Sequence, residues 1–148
     1  MIEFGNVAHA ERIASEAGIN FNPVTDITIA RSENGELLGG VIFKDYTGRS
    51  ITIHVAAFNP HWINPDMLWI TFHYPFEQLG VQKIFGQVCV KNSRALEFDR
   101  KLGFKEEAII RDVYPDGDMV LLGMYRDDCR FLKMQPRAFA MKEPSHGR

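Results

Sequence analysis

His54 is the side chain in this sequence best suited to move a proton. It sits in Ser50-Ile51-Thr52-Ile53-His54-Val55-Ala56-Ala57-Phe58, a β-branched run that fits a central strand. Period-two alternation puts it on one face with Ala56 and Phe58. Imidazole titrates near pH 6.5, so His54 can accept a proton close to neutrality, directly or through water. The other reading of the same residue is a hydrogen-bonded histidine in a half-buried strand. Two later segments have the make-up of anion receptors. Asn64-Pro65-Asp66 places Asn at a helix cap, Pro at the first helical position and an acid in the first turn, and Asn92-Ser93-Arg94 opens a second helix after an apolar strand. A helix start carries roughly half a positive charge and several free N–H donors. Residues 62–67 therefore read as a cradle for a pyrophosphate, and Arg94 as a charge-assisted donor to a phosphate. By geometry alone a well-capped helix needs no ligand, and a solvated helix residue accounts equally for Arg94.

These residues need a scaffold, and its elements can be read in order. Asn6 caps a helix through Ala17, with Val7, Ala10, Ile13, Ala14 and Ala17 as one apolar stripe and Gly18 as its stop. After Pro23 a strand containing Ile27 and Ile29 ends near Arg31. Asn34-Gly35 is a hairpin turn to a strand over 37–44, and a turn at 46–49 leads into the His54 strand. The helix from Asn64 presents Met67, Leu68, Ile70, Thr71, Tyr74, Phe76 and Leu79 and ends at Gly80. Pro75 must bend or divide it, because the ring removes one backbone hydrogen bond. A buried strand over 84–90 precedes the Asn92 helix, and strands over 108–113 and 119–125 close the chain as a hairpin around 114–118. Helix, three strands, helix, strand, helix and hairpin make one α/β domain, with a mixed, largely antiparallel sheet and helices on both faces.

Composition limits the possible partners. A chain of 148 residues, 45% hydrophobic, can bury one full core. A net charge of -2 gives no basic footprint for nucleic acid. Cys89, in its strand, reads as core; Cys129, after Arg126-Asp127-Asp128, reads as surface. Neither forms a disulfide framework or a zinc-site spacing. The N-terminus lacks the regions of a signal peptide, and no run approaches the roughly 18 apolar residues of a membrane span. We expect a soluble cytoplasmic protein without a metal, its domain over 1–132 and a mobile tail over 133–148, where Pro136, Pro144, Ser145 and Gly147 replace any periodicity.

The segment from Asn92 to Phe104 resembles a signature of the GNAT acetyltransferase superfamily. Asn92, Ala95, Lys101, Gly103 and Phe104 match the family's Asn, Ala, Lys, Gly-Phe spacing, and the order of elements matches from about 26 to 130. Glu107, Arg111 and Gly117 look like the branch that acetylates protein N-termini and small amines. The resemblance implies a GNAT-like domain that uses acetyl-CoA as cosubstrate, with a small-molecule or protein amine attacking the thioester directly. Asn92 would touch pantetheine or phosphates, and Phe98 would pack against the cofactor or core. The strand over 50–58 would splay from its neighbour and pair with pantetheine like an added strand, with Ala57 and Phe58 nearest the thioester and the Phe58 N–H as oxyanion donor. His54 falls where many family members carry a catalytic glutamate.

Two departures modify that expectation. The family's glycine-rich pyrophosphate loop is replaced by Pro60-His61-Trp62-Ile63-Asn64-Pro65-Asp66, and glycine permits close approaches that other residues resist. We therefore expect weaker or differently posed CoA binding, through the amides of Ile63, Asn64 and Met67 and the Asn64 side chain, with Asp66 repelling a diphosphate. Many relatives carry a proton-donating tyrosine where this chain has Asp99. A carboxyl with an ordinary pKa is ionised at neutrality, and Arg100 and Lys101 beside it suggest a solvated face, leaving water to protonate the thiolate. The rival readings are a non-catalytic CoA-binding or protein-interaction module on the same fold, and a nucleobase-modifying relative, against which the weak basic balance argues. The edge strand of the closing hairpin could pair two copies or be protected by charge.

Overall fold

The computed structural model describes residues 1–134. All but the first two residues of the expected tail lie outside the described residues. The chain runs β1 (Ile2–Phe4), α1 (Val7–Ala17), β2 (Ile27–Glu33), β3 (Glu36–Lys44), β4 (Ser50–Ala57), α2 (Pro65–His73), β5 (Lys83–Cys89), α3 (Ser93–Leu102), β6 (Lys105–Tyr114) and β7 (Gly117–Tyr125). The seven strands form one sheet in the order β1-β2-β3-β4-β5-β7-β6. All neighbours are antiparallel except β4 and β5, which α2 connects, as a parallel pair requires.

Local chemistry sets the boundaries. The side chains of Asn6, Asn64 and Asn92 accept from the backbone N–H groups of His9, Met67 and Ala95 at 3.0, 2.8 and 3.2 Å, each satisfying one of the donors a helix start leaves open. Gly18 and Gly103 end α1 and α3 in the left-handed region, φ 74° and 114°. Pro75 divides the second helix as expected. It lacks the N–H that would continue the α-ladder, and the chain widens into a π-helical turn over Tyr74–Gln78, closed by Leu79 N–H on the Tyr74 carbonyl at 3.0 Å.

Helices cover both faces. On one, Ile13 and Ala14 of α1 pack against Ala30, Leu37, Ile42 and Ala56. A Cβ at Gly40 would stand 2.6 Å from Ile13 Cδ1, so glycine lets α1 approach the sheet. The main core fills the other face, where Met67, Ile70 and Phe72 of α2 and Leu96 of α3 meet Val41, Ile53, Ile84 and Leu122. Cys129, expected at the surface, is buried in this core; Phe131 beside it stacks on Phe72 with centroids 4.9 Å apart. β6 forms the sheet edge and is exposed along nearly its whole length. Bulges flanking 106–108 and 110–114, with Asp112 at φ 60°, break its regularity, a common protection against edge pairing. No described helix is long and apolar enough to cross a membrane.

Candidate functional site

The parallel pair opens into a gap. β4 and β5 run side by side from Ser50↔Lys83 to Ile53↔Gly86, and there the pairing stops although both strands continue. Each end is held by its other neighbour. The Phe58 and Asn59 N–H groups both donate to the Leu38 carbonyl, at 2.8 and 3.1 Å, while Val90 N–H donates to the Asp118 carbonyl at 2.8 Å. β4 therefore leaves with β3 and β5 with β7. Between them lies a cleft of about 1220 Å³, lined by the end of β4, the end of β5, the start of α3 and the 114–116 turn. That exceeds the roughly 300–1,000 Å³ of an ordinary small-molecule pocket and suits an elongated ligand.

The bond from Phe58 to Leu38 also fixes which backbone groups face the gap. In an antiparallel ladder alternate residues exchange both bonds with the partner strand. Phe58, and therefore Ala56, His54 and Thr52, turn their N–H and C=O groups toward β3. Val55 and Ala57 turn theirs the other way, and past Ile53 no strand is there to receive them. The expectation that the Phe58 N–H serves as oxyanion donor is corrected on this ground: that hydrogen is spent on Leu38. The donors pointing into the gap belong to Val55 and Ala57. The Phe58 ring is 36% exposed, with the Arg12 guanidinium 4.8 Å from its centroid, at the α1 side of the cleft mouth.

His54 lines the cleft on the face that carries α1, in line with Ala56. It makes no hydrogen bond among the described residues, so the reading of a hydrogen-bonded structural histidine does not describe it. Burial first, and then the Lys44 ammonium, hold its pKa below 6.5, partly opposed by Asp45 and Asp26. Lys44 is itself anchored by the Asp26 carboxylate and, at 2.8 Å, by the Asn20 carbonyl. The ring is thus kept neutral at pH 7, the form that accepts a proton.

Asp99 corrects the second expectation. Its neighbours in sequence suggested a solvated face, yet Ala95, Phe98, Asp99 and Leu102 form the inward stripe of α3. The carboxyl lines the cleft opposite Gly86, where a Cβ would stand 3.8 Å from Asp99 Oδ2. Burial raises its pKa from 3.8 to about 7. Gly86 pairs with Ile53 at the last rung before the strands part, so the acid sits where the gap begins, on the sheet face opposite His54. Helical spacing carried this signal in the sequence.

The remaining expected residues divide into two groups. Asn92, Arg94 and Phe98 line the cleft, as do Ala57, Trp62 and Ile63. Trp62 is only 4% exposed; it lies 6.1 Å from the Phe98 ring, and its Cβ and Cγ would be 2.8 Å from a Cβ at Gly39. It forms a wall of the cleft. Asn64, Asp66 and Met67 do not line it. The Met67 side chain is core, and its N–H is taken by Asn64 Oδ1, so neither can hold a phosphate. The loop consumes two of its own donors: His61 N–H goes to Asn59 Oδ1 at 2.8 Å and Trp62 N–H to the Asn59 carbonyl at 3.1 Å. Of the three amides expected to meet a pyrophosphate, those of Ile63 and Asn64 are left. Sequence reasoning missed Cys89 and Tyr114, which meet at the cleft end, where the Cys89 thiol lies 3.7 Å from Asp116 Oδ1. Burial, and secondarily Cys89, keep the Tyr114 phenol protonated above its usual range. No group of three or more His, Cys, Asp or Glu among the described residues is arranged to hold a metal.

A mixed seven-stranded sheet opened at its parallel pair, with a helix starting at the open end, is the fold of the GNAT acetyltransferases. The structure is similar to the ribosomal-protein-S18-alanine N-acetyltransferase of Escherichia coli, at 18% identity over 84% of this chain and 94% of that one, with a TM-score of 0.62. It is also similar to the spermidine/spermine N-acetyltransferase SpeG of Vibrio cholerae (14% identity, 84% and 91% covered, TM-score 0.64). The Campylobacter jejuni N-acetyltransferase PseH in complex with acetyl coenzyme A matches at 18% identity, 69% of each chain and a TM-score of 0.54. No protein-family model matches this sequence, and a search of curated proteins finds no match.

Proposed function

We propose that this protein transfers an acetyl group from acetyl-CoA to an amine. The observation that carries this reading is the gap between β4 and β5, with the backbone of Val55 and Ala57 turned into it. A strand edge binds an extended, amide-bearing chain by completing its ladder, and the pantetheine arm is such a chain. Its thioester supplies an activated acyl carbon. The start of α3, with Arg94 at the rim, offers positive potential for the phosphates, and the sparse donors of the 60–66 loop make that end of the molecule a weak contributor to affinity.

The amine enters on the α1 face, where His54 stands neutral and without a partner. The imidazole takes the proton that the nitrogen must lose, and the Val55 N–H, the gap-facing donor next to His54 and nearest the rung where the strands part, stabilises the oxygen as the carbon becomes tetrahedral. The acceptor belongs to a small molecule or a protein N-terminus. The neighbours that act on spermidine and on a ribosomal protein fit an amine in either setting. The test is thiol release from acetyl-CoA over a panel of amines and N-terminal peptides, with calorimetric titration of acetyl-CoA. Amine-dependent release is expected. Binding without release would favour a CoA-binding module, the reading to which the donor-poor loop lends weight, and no binding at millimolar acetyl-CoA refutes both.

A further inference from the structure

We propose that Asp99 is the acid that protonates the departing thiolate, a role that rests on the acyl-transfer reading above. Three observations converge on it. Its carboxyl stands beside Gly86, at the rung where β4 and β5 separate, so a thioester drawn up along the open edge of β4 would bring its sulfur to this end of the gap. It occupies the face opposite His54, which lets the amine approach from one side of the sheet and the thiol leave on the other. It makes no hydrogen bond or ion pair among the described residues, although it is half-buried in the apolar stripe of α3.

The last point distinguishes Asp99 from a structural acid. Buried carboxyls are ordinarily paired, since an unpaired charge taken out of water is costly. The cations nearest in sequence are engaged elsewhere: Lys101 pairs with Glu97 at 3.4 Å and Arg100 with Glu106 at 3.3 Å. Glu16 of α1, His54 of β4, Cys89 of β5, Arg94, Glu97 and Lys101 of α3, and Tyr114 and Asp116 of the turn share the cleft, and none forms a bond to the carboxyl. Burial alone moves its titration, to about 7. The result is a carboxyl that carries its proton in part of the molecules at neutral pH, where an exposed one would have lost it.

The step balances as follows. The amine nitrogen forms a bond to the acyl carbon and yields a proton to His54; the C–S bond breaks; the sulfur takes the electron pair and the Asp99 proton. Amide and free thiol result, His54 releases its proton to water, and Asp99 is reprotonated from solvent.

Leaving-group dependence tests the assignment. With acetyl-CoA, Asp99→Asn should lower kcat by about 10²-fold, leave KM nearly unchanged and remove the limb along which wild-type kcat falls above about pH 7. With small donors of matched size, the deficit should be large for S-acetyl benzyl mercaptan and nearly absent for S-acetyl thiophenol, whose thiolate leaves without a proton. Asp99→Glu should recover part of the rate. Tyr114→Phe, which removes the phenol at the Cys89 end of the cleft, should keep the wild-type leaving-group pattern. An Asp99→Asn enzyme with unchanged kcat and pH profile, an equal deficit for both donors, or the leaving-group signature in Tyr114→Phe would each overturn the proposal while the transferase reading stands. A wild-type protein that releases no thiol from any donor refutes that reading, and the role of Asp99 with it. Melting at pH 6 separates misfolding from lost chemistry.

Discussion

Proline substitution can delete a single backbone hydrogen from β4, and the ladder phase says which hydrogen matters. Val55→Pro removes an N–H that faces the gap and has no partner on β3. Residue 55 lies beyond the last rung with β5, on an open edge whose N–H has no ladder partner and where proline is tolerated, and His54 before it is already extended, as a residue preceding proline must be. Folding should therefore change little. Catalysis should not: losing one oxyanion donor costs about 10²–10³ in kcat, or about 3–4 kcal/mol of transition-state stabilisation. If that N–H binds only the pantetheine amide, the loss is instead about 1 kcal/mol, roughly fivefold in KM with kcat retained. Phe58→Pro should behave in the opposite way. It removes the 2.8 Å bond to Leu38, worth about 1 kcal/mol, and lowers the melting temperature by about 3–5 °C. The Leu38 carbonyl keeps its 3.1 Å bond from Asn59, so the damage stays local, and kcat should hold to within a few fold. Thiol release and thermal melting of the two variants decide the matter. An active Val55→Pro, or a stable Phe58→Pro that has lost kcat, would show that the opposite set of β4 amides faces the gap.

Replacing His54 by Ala should reduce kcat/KM by about 10²-fold or more and abolish its ascending limb. Because the folded pKa is lowered, that limb lies below pH 6.5: activity is present above it and lost as pH falls, and an unchanged profile would remove His54 from the mechanism. Asn64→Ala should cost about 1 kcal/mol of stability through the lost cap with little change in KM for acetyl-CoA, whereas Arg94→Ala should raise that KM several-fold and leave melting intact; the reverse pattern would restore Asn64 as a phosphate ligand. Asp99→Asn should stabilise the protein in alkali. The folded pKa is raised from 3.8 to about 7, so wild-type stability is full below about pH 4, declines as pH rises toward 7 and is flat beyond. At 1.36 kcal/mol per unit the deficit is at most about 4 kcal/mol. Equal melting of the two proteins below about pH 4, a gap that widens as pH rises, and its full size at pH 8 are expected, and no gap at pH 8 would mean that the carboxyl is hydrated.

What the sequence disclosed was local. The caps Asn6, Asn64 and Asn92, the stops Gly18 and Gly103 and the break at Pro75 each act within one turn, and all were legible along with the order of elements and the mixed sheet. β1 was not, because three residues cannot display a period. The errors at the site came from longer reach. Whether the Phe58 hydrogen faces the gap depends on the phase of pairing with Leu38, twenty residues away in the chain. The cap at Asn64 is legible in the sequence, but not the donor it consumes, which is the Met67 amide. Arg100 and Lys101, the neighbours of Asp99 along the chain, suggest solvent, but Ala95, Phe98 and Leu102, its neighbours on the helix, decide where it points.

The same geometry explains how a carboxyl can stand in for a phenol. A thiol titrates near 8.5 and a tyrosine near 10, so proton transfer from an ordinary phenol to the thiolate runs uphill by about 1.5 units. From an acid at about 7 it runs downhill by about as much, a difference of roughly 4 kcal/mol in driving force. The cost is occupancy: near pH 7 only about half of the Asp99 side chains hold the proton, a loss of merely twofold, which is why catalytic acids work best with pKa values close to the working pH. An exposed aspartate near 3.9 would be protonated in about one molecule in a thousand at pH 7, and its advantage in acidity could not offset that. The apolar stripe of α3 therefore does more than bury a face: by denying Asp99 water and partners it makes the carboxyl an acid at neutral pH, at the expense of stability above it.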